Sequence, residues 1–166
     1  VILDTMVNHV LPETHLETDK LYRLMSRGIK ASTSQASVFE RHQHYQSVLS
    51  RYKKVLYLCV GSVYTGNYKV SIDWKKENDP DNRMTVIDTG TASGRLGLLA
   101  IACARYSRLT SKPDEVIKFA GKAIDFCFEY IFLEKLHYLA AGGRMSKAGA
   151  FFGDMFNVKP IVSPQA

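Results

Sequence analysis

The six-residue run V-L-Y-L-C-V, from Val55 to Val60, decides the fold class. Every residue in it is apolar or aromatic, and its length and composition are typical of a strand. A strand with one face in water alternates apolar and polar residues, and this run does not. It therefore predicts a central strand that is covered on both faces, which is the pattern of a parallel sheet.

Helices and strands alternate on either side of this central strand. Upstream, Ser37 and Glu40 form the S-x-x-E capping box of a helix that ends near Arg51. Downstream, an apolar strand over Met84 to Ile87 precedes a helix over Leu96 to Ser107. The other predicted strands lie at Val1 to Val7, from Tyr130 and at Val158 to Val162, and Ile29 to Ser34 is predicted to be extended. The other predicted helices lie between Thr18 and Gly28, at Tyr68 to Lys76, from Pro113, at Leu133 to Ala141 and from Ser146 to Phe156. This alternation predicts an α/β fold, a three-layer sandwich with a mostly parallel central sheet, as a single domain over residues 1–166.

Composition and charge narrow the class of protein. The chain has 166 residues, of which 46% are apolar and 23% charged, so one packed core is expected rather than disorder. Its 22 basic and 16 acidic residues give a net charge of +6, which favours an anionic partner or surface without naming one. The sequence has no run of about 18 uncharged apolar residues, which excludes a membrane-spanning helix.

The cysteines and histidines argue against a metal site. Cys59, Cys103 and Cys127 lack the C-x-x-C spacing and fall in segments predicted to be buried, as in a reduced cytoplasmic protein. His42 and His44 lie two residues apart on a predicted helix and so point to different faces. The sequence also lacks the nucleotide-binding patterns G-x-x-x-x-G-K-[ST] and G-x-G-x-x-G. We therefore expect no metal, no cofactor and no nucleic-acid partner.

Three loops are rich in glycine and small hydroxyl residues, namely Ser32 to Ser37, Gly61 to Gly66 and Thr89 to Gly94. Ligands of open α/β sheets bind where strands end, and backbone N–H groups at helix starts favour anions such as carboxylate or phosphate. Turns and helix caps use the same residue types, so the alternative is a purely structural role. The candidate ligand-binding residues in these loops are Thr33, Ser34, Ser62, Thr65, Gly66 and Ser93.

The triplet Asp88-Thr89-Gly90 matches the D-T-G motif of aspartic proteases. That chemistry needs two carboxylates close enough to share a proton. Here a single copy lies between an apolar strand and an apolar helix, whereas the protease fold consists almost wholly of strands. An acid–base hydrolase centred on Asp88 is the alternative enzyme hypothesis, and a strand-end residue that bonds the following turn is the simpler interpretation.

Two other features have both a structural and a functional interpretation. The segment from Leu139 to Lys147 places Arg144 and Lys147 around a glycine pair, either as a site for an acidic partner or as a helix connection with solvated charges. The segments Leu96 to Ala104 and Phe119 to Phe132 are apolar enough for core packing or for an apolar ligand slot.

Four motifs, in order along the chain, resemble the DegV family. They are T-S-Q-A-S from Thr33, S-x-x-T-G-x-Y from Ser62, V-I-D-T-x-x-A-S-x-x-L-G from Val86, and L-x-x-G-G-R-M-S-K from Leu139, which is followed by F-N-V-K-P-I-V. The resemblance extends from about Lys30 to the C-terminus. It implies the N-terminal lobe of a two-lobed α/β fold.

The resemblance also implies a function without catalysis. DegV proteins are bacterial carriers that bind a long-chain fatty acid and present its carboxylate to a fatty acid kinase for phospholipid synthesis. By position, the carboxylate-holding hydroxyls fall on Thr33 and on Thr65, where the family usually has Ser. Arg144 matches the family's G-G-R arginine, near the ligand entrance and the partner-facing surface, with Lys147 close by. The expected partners are the fatty acid, the kinase and, transiently, a membrane surface; the remaining alternative is an interaction domain with no ligand of its own.

The sequence departs from the family pattern in three places. Asn67 replaces the usual Thr after Gly66. The N-terminal strand with its D-S-T motif is absent, and the chain stops soon after K-P-I-V, before the second lobe and its expected His. We therefore expect the chain to be a fragment or a short member of the family.

Overall fold

A computed structural model describes residues 2–4, 9–10, 17–141 and 159–163 of the chain. The chain divides into two compact units. The first unit comprises Val1–Ala36 and Phe132–Pro160, and the second comprises Ser37–Ile131 and Ile161–Ala166. In chain order the elements are β1 (Ile2–Asp4), β2 (His9–Val10), α1 (Thr18–Ser26), β3 (Lys30–Ser32), α2 (Val38–Arg51), β4 (Val55–Cys59), α3 (Asn67–Asn78), β5 (Met84–Asp88), α4 (Ser93–Tyr106), α5 (Pro113–Asp125), β6 (Ile131–Phe132), α6 (His137–Ala141) and β7 (Ile161–Val162).

The first unit contains a three-stranded antiparallel sheet in the order β2-β1-β3. α1 connects β2 to β3 and ends where Gly28 adopts a φ of +82°, a left-handed conformation that glycine takes without strain. The Gly28 N–H donates to the carbonyl of Met25 at 2.9 Å, which closes the last turn of the helix. Gly28 is thus the helix terminator that the sequence predicts.

The second unit contains the parallel pair β4 and β5, as the run from Val55 predicts. The register aligns Val55 with Met84 and Cys59 with Asp88, so the two strands end level with each other. The start of β5 is fixed by Asp79, whose carboxylate accepts hydrogen bonds from the N–H groups of Arg83 at 2.9 Å and Met84 at 2.8 Å. Consequently the loops that follow both strands begin at the same edge of the sheet.

Helices α2 and α3 cover one face of this strand pair. The buried core there consists of Tyr45, Leu49, Trp74 and Met84, with Val55, Tyr57 and Val86 packed against it. The Tyr45 hydroxyl lies 2.8 Å from Ser71 Oγ, and the Trp74 indole N–H donates to His42 Nδ1 at 3.1 Å. These polar groups of the core therefore have hydrogen-bond partners.

Helices α4 and α5 cover the opposite face. Side chains alternate along a strand, so Leu56, Leu58 and Thr85 point away from the core and line a cleft beneath these helices. Tyr106 of α4 and Phe119 of α5 stack at 4.5 Å between ring centroids, which ties the two helices together. The second unit thus has the three layers that the sequence predicts.

Several predicted boundaries differ from the structure. Helix α1 begins at Thr18 but ends at Ser26, before Gly28, and no side chain caps its first turn. The short helix predicted from Leu133 begins at His137 instead, while the capping box between Ser37 and Glu40 forms as predicted. Strands β1, β2 and β3 pair antiparallel, so the parallel pattern is confined to β4 and β5 among the strands whose register is known. The predicted helix from Ser146 to Phe156 lies outside the described residues.

The three cysteines are free and buried, as predicted for reduced core residues. Within the described ranges, no helix combines the length and the hydropathy needed to cross a membrane.

Candidate functional site

The loops after β4 and β5 meet at the carboxyl edge of the parallel pair. The Gly61 N–H donates to the Thr91 carbonyl at 2.7 Å, so the two backbones lie in direct contact. A Cβ atom at Gly61 would lie 2.6 Å from the carbonyl carbon of Gly90 and 2.7 Å from the nitrogen of Thr91. Glycine is therefore required at this crossing, because a side chain would not fit between the two backbones.

Asp88, the last residue of β5, holds the two loops together. Its Oδ1 accepts hydrogen bonds from the N–H groups of Ser62 at 3.0 Å and Gly90 at 3.2 Å. Desolvation acts to raise the pKa of Asp88, but the hydrogen bonds from Ser62 and Gly90 outweigh it and hold the pKa below its usual value. The carboxylate thus bonds the backbone of the two loops, so the structure favours the turn-bonding interpretation of Asp88 over the hydrolase.

Thr89 and Thr91 are internal supports of the second loop. Both are buried, and the Thr89 hydroxyl donates to the Cys59 carbonyl at 2.6 Å while its oxygen accepts from the Thr91 N–H at 3.3 Å. The Thr89 hydroxyl thus fixes the loop to the end of β4, while the Thr91 hydroxyl donates to the Ala92 carbonyl within the loop. In this loop the exposed hydroxyl is that of Ser93, the first residue of α4, which has a φ of +55°.

The turn between β4 and α3 carries the other predicted ligand contacts of this unit. The N–H groups of Tyr64 and Thr65 donate to the Gly61 carbonyl at 2.9 and 3.3 Å, which folds the segment into a tight turn. Thr65 Oγ1 accepts the Asn67 N–H at 3.0 Å, so its hydroxyl hydrogen remains available for another acceptor. The structure therefore brings Ser62, Thr65 and Gly66 together in one turn at the start of α3.

The helix starts on the two loops are not equivalent. Glu129 Oε1 accepts the Arg95 N–H at 3.3 Å, so a carboxylate of the protein already lies at the first turn of α4. The Arg95 guanidinium donates to the Ile124 carbonyl at 2.9 Å and points away from the loop. Sequence analysis missed Glu129, because no local pattern links it to a helix 34 residues away. The first turn of α3 is thus the better place for an external anion.

The remaining predicted site residues lie elsewhere. Thr33 and Ser34 directly follow β3 in the first unit, and both are exposed. Arg144 and Lys147 lie outside the described residues, so their roles stay predictions. Among the residues that are described, no group of three or more His, Cys, Asp or Glu side chains is arranged to hold a metal ion.

A cleft of about 850 Å³ lies between the outer face of β4 and β5 and helices α4 and α5. Its apolar walls include Leu56, Leu58, Val116 and Ile117. The side chains of α4 that line it are all small, namely Ala100, Cys103 and Ala104, and Ser107, directly after the helix, is small too. A cleft of this size is typical of a small-molecule site, and its walls suit an apolar ligand.

Comparison with known proteins now identifies the family. The family model described as "Uncharacterised protein, DegV family" matches residues 6–165. The chain belongs to the DegV family. A DegV domain-containing protein of Streptococcus pyogenes serotype M3 is 28% identical over 165 residues, which is 98% of this chain and 58% of that protein. The chain thus spans little more than half the length of this DegV relative.

Solved structures of a DegV family protein and of the Fak B3 protein have the same fold. A DegV family protein from Eubacterium eligens, loaded with heptadecanoic acid, superposes with a TM-score of 0.79 at 14% identity over 99% of this chain and 60% of that one. The Streptococcus pneumoniae Fatty Acid Kinase (Fak) B3 protein, loaded with linoleic acid, gives 0.74 at 18% identity over 91% of this chain and 54% of that one. These matches confirm the predicted mixed α/β fold of the DegV family.

Proposed function

We propose that this chain binds a long-chain fatty acid and carries it without chemical change. The observation that carries the proposal is the pairing of an apolar cleft with a hydroxyl-rich turn on the same parallel strand pair. The similar structures of a DegV family protein loaded with heptadecanoic acid and of the Fak B3 protein loaded with linoleic acid support the ligand class. The acyl tail would occupy the cleft, and the carboxylate would lie at the turn formed by Ser62, Thr65 and Gly66.

The turn suits a carboxylate for two reasons. The Thr65 oxygen accepts the Asn67 N–H, and this contact leaves the hydroxyl hydrogen of Thr65 able to donate to a carboxylate. The first turn of α3 adds N–H groups that lack intrahelical partners and the positive end of the helix dipole. Hydrogen bonds to an ionised acceptor are roughly twice as strong as neutral ones, so a few such donors hold the head group without a cation.

The cleft suits the tail because burial of hydrocarbon drives binding. Each buried methylene contributes about 0.8 kcal/mol, so ten of them would contribute about 8 kcal/mol before the cost of ordering the ligand. The small side chains of α4, such as Ala100 and Ala104, leave room for that chain against Leu56 and Leu58. Thr33 and Ser34 remain predicted head-group contacts on the family resemblance alone.

The proposed partner is a fatty acid kinase that phosphorylates the bound carboxylate. The similarity to the Fak B3 protein supports this assignment, and the G-x-x-x-x-G-K-[ST] pattern of a phosphate-binding loop is absent from the sequence. On this proposal the kinase supplies the phosphoryl-transfer groups, and the carrier, in the cytoplasm, supplies the oriented carboxylate.

The proposed route of lipid exchange is transient contact with a membrane surface. On α4, Leu98 and Ile101 are 58% and 53% exposed on the side opposite the cleft, and the exposed Arg105 lies one turn further on. The stretch of sequence from Ser93 to Lys112 contains no acidic residue. An apolar strip with basic neighbours is the pattern of a helix that binds anionic lipid surfaces.

The test of the proposal is titration of the purified protein with hexadecanoate. Thr65→Val keeps the shape of the side chain but removes its hydroxyl, and loss of a hydrogen bond to a charged group costs about 1.5–3 kcal/mol, or about 10- to 150-fold in Kd. Thr65→Ser should retain most of the affinity, and Thr18→Val, at an exposed helix start, serves as the control. Equal affinity of Thr65→Val and the parent protein would rule out this head-group site.

A further inference from the structure

The two ends of the cleft are chemically different. Toward the carboxyl edge of the sheet its lining is apolar, with Leu58 on β4 and Ala100 on α4. At the amino edge, where the exposed acidic Asp114 also borders it, the cleft is lined by Lys54, Asn82, Ser107, Ser111 and Lys112, all of which are exposed. We define these five residues as the polar mouth.

Both lysines of the polar mouth have hydrogen-bond partners in the wall of the cleft. Lys54 Nζ donates to the Asn82 carbonyl at 2.9 Å, which joins the residue before β4 to the loop before β5. Lys112 Nζ pairs with Glu115 Oε1 at 3.1 Å, so this lysine is held along the start of α5. Both ammonium groups are thus engaged within the wall of the cleft instead of closing over it.

The polar mouth lies at the opposite end of β4 from the turn of Ser62, Thr65 and Gly66. A closed apolar pocket would reject an acyl chain that is too long, because overpacking is unfavourable, and a polar group at the end of the chain would lose its water. At an exposed polar rim, a chain end can emerge and a polar terminal group can stay hydrated.

We propose, on the basis of the proposed function, that the cleft binds acyl chains whose far end emerges into water at the polar mouth. The ligand class then includes very long fatty acids and fatty acids with a polar group at the terminal carbon, such as long-chain dicarboxylates. The mouth sets no upper limit on chain length. Methylenes beyond it stay in water and add nothing to affinity, since only buried ones contribute.

The experiment compares four ligands by isothermal titration or displacement of a fluorescent fatty acid: dodecanoate, hexadecanoate, docosanoate and hexadecanedioate. We expect docosanoate to bind within about threefold of hexadecanoate, and the dicarboxylate within about tenfold. If hexadecanoate binds but docosanoate or the dicarboxylate is weaker by about a hundredfold or more, the open mouth is wrong and the carrier function stands. If hexadecanoate itself does not bind, the proposed function fails, and this inference with it.

A variant that fills the mouth gives the second arm. Ser107→Phe places a bulky side chain at the rim and should weaken docosanoate and the dicarboxylate by about tenfold or more, while dodecanoate changes by less than about threefold. Val38→Phe, at a 77% exposed position on α2, is the matched control and should change none of these affinities. Equal loss of all ligands in Ser107→Phe at unchanged thermal stability would contradict the proposed exit.

Discussion

Replacing Gly61 by alanine should damage the loop crossing at the head-group turn. A Cβ atom there would lie 2.6 Å from the Gly90 carbonyl carbon, 2.7 Å from the Gly90 Cα and 2.7 Å from the Thr91 nitrogen. All three are backbone atoms, which cannot move aside by changing a rotamer. The two loops must therefore separate, and their shared hydrogen bond at 2.7 Å must lengthen or break.

The magnitude of this effect follows from two contributions. Overpacking costs about 1–3 kcal/mol and the lost hydrogen bond a further 0.5–1.5 kcal/mol, so Gly61→Ala should destabilise the fold by about 1.5–4.5 kcal/mol. Separation of the loops should also displace Ser62 and Thr65, so the variant should bind hexadecanoate at least about tenfold more weakly under conditions where it remains folded.

Urea denaturation followed by circular dichroism measures the stability, and ligand titration at low temperature measures the binding. Gly97→Ala is the matched control, because a Cβ atom at Gly97, in the middle of α4, would meet nothing within 4 Å. It should stabilise the helix by about 0.5–1 kcal/mol. A Gly61→Ala protein as stable as the parent would refute the close crossing of the two loops.

Two further predictions concern Asp88 and the outer face of α4. Because hydrogen bonds lower the pKa of Asp88 below its ordinary value of 3.8, its contribution to stability is present above that pH and is lost as the pH falls through the lower folded value. Asp88→Asn should therefore lower the free energy of unfolding by about 1 kcal/mol at pH 7. In urea titrations below pH 4, the difference in unfolding free energy between the variant and the parent should become smaller. A difference that did not change with pH would contradict this role. Arg105→Glu should reduce co-flotation with vesicles of anionic lipid but not with neutral vesicles, whereas unchanged flotation would exclude α4 as the contact surface.

The sequence predicts the fold best where the signal is local. The apolar run from Val55 and the capping box of Ser37 and Glu40 both correspond to observed elements, because composition and spacing within a few residues suffice to define them. The antiparallel pairing of β1 with β2 and β3 was not predicted, because pairing depends on partners far along the chain. The sequence predicts that α6 starts at Leu133 rather than at His137, because residues 133–136 have the apolar spacing of a helix although they are not helical.

The candidate site was predictable as a set of loops but not in its internal division of roles. The hydroxyl-rich loops stood out by composition, yet Thr89 and Thr91 prove to be buried supports, while Ser62 and Ser93 are exposed. The supporting hydroxyls differ from the exposed ones in their hydrogen bonds, which composition does not reveal. Glu129 was invisible to the sequence for the same reason, since its contact with Arg95 depends on how α4 packs.

Native mass spectrometry of the purified protein tests the central claim most directly. The carrier proposal predicts a bound species heavier than the polypeptide by one long-chain fatty acid, either co-purified or after incubation with hexadecanoate. It also predicts that this species is depleted in Thr65→Val but retained in Thr18→Val. Repeated absence of the bound species in the parent protein, with hexadecanoate supplied in excess, would contradict the proposal.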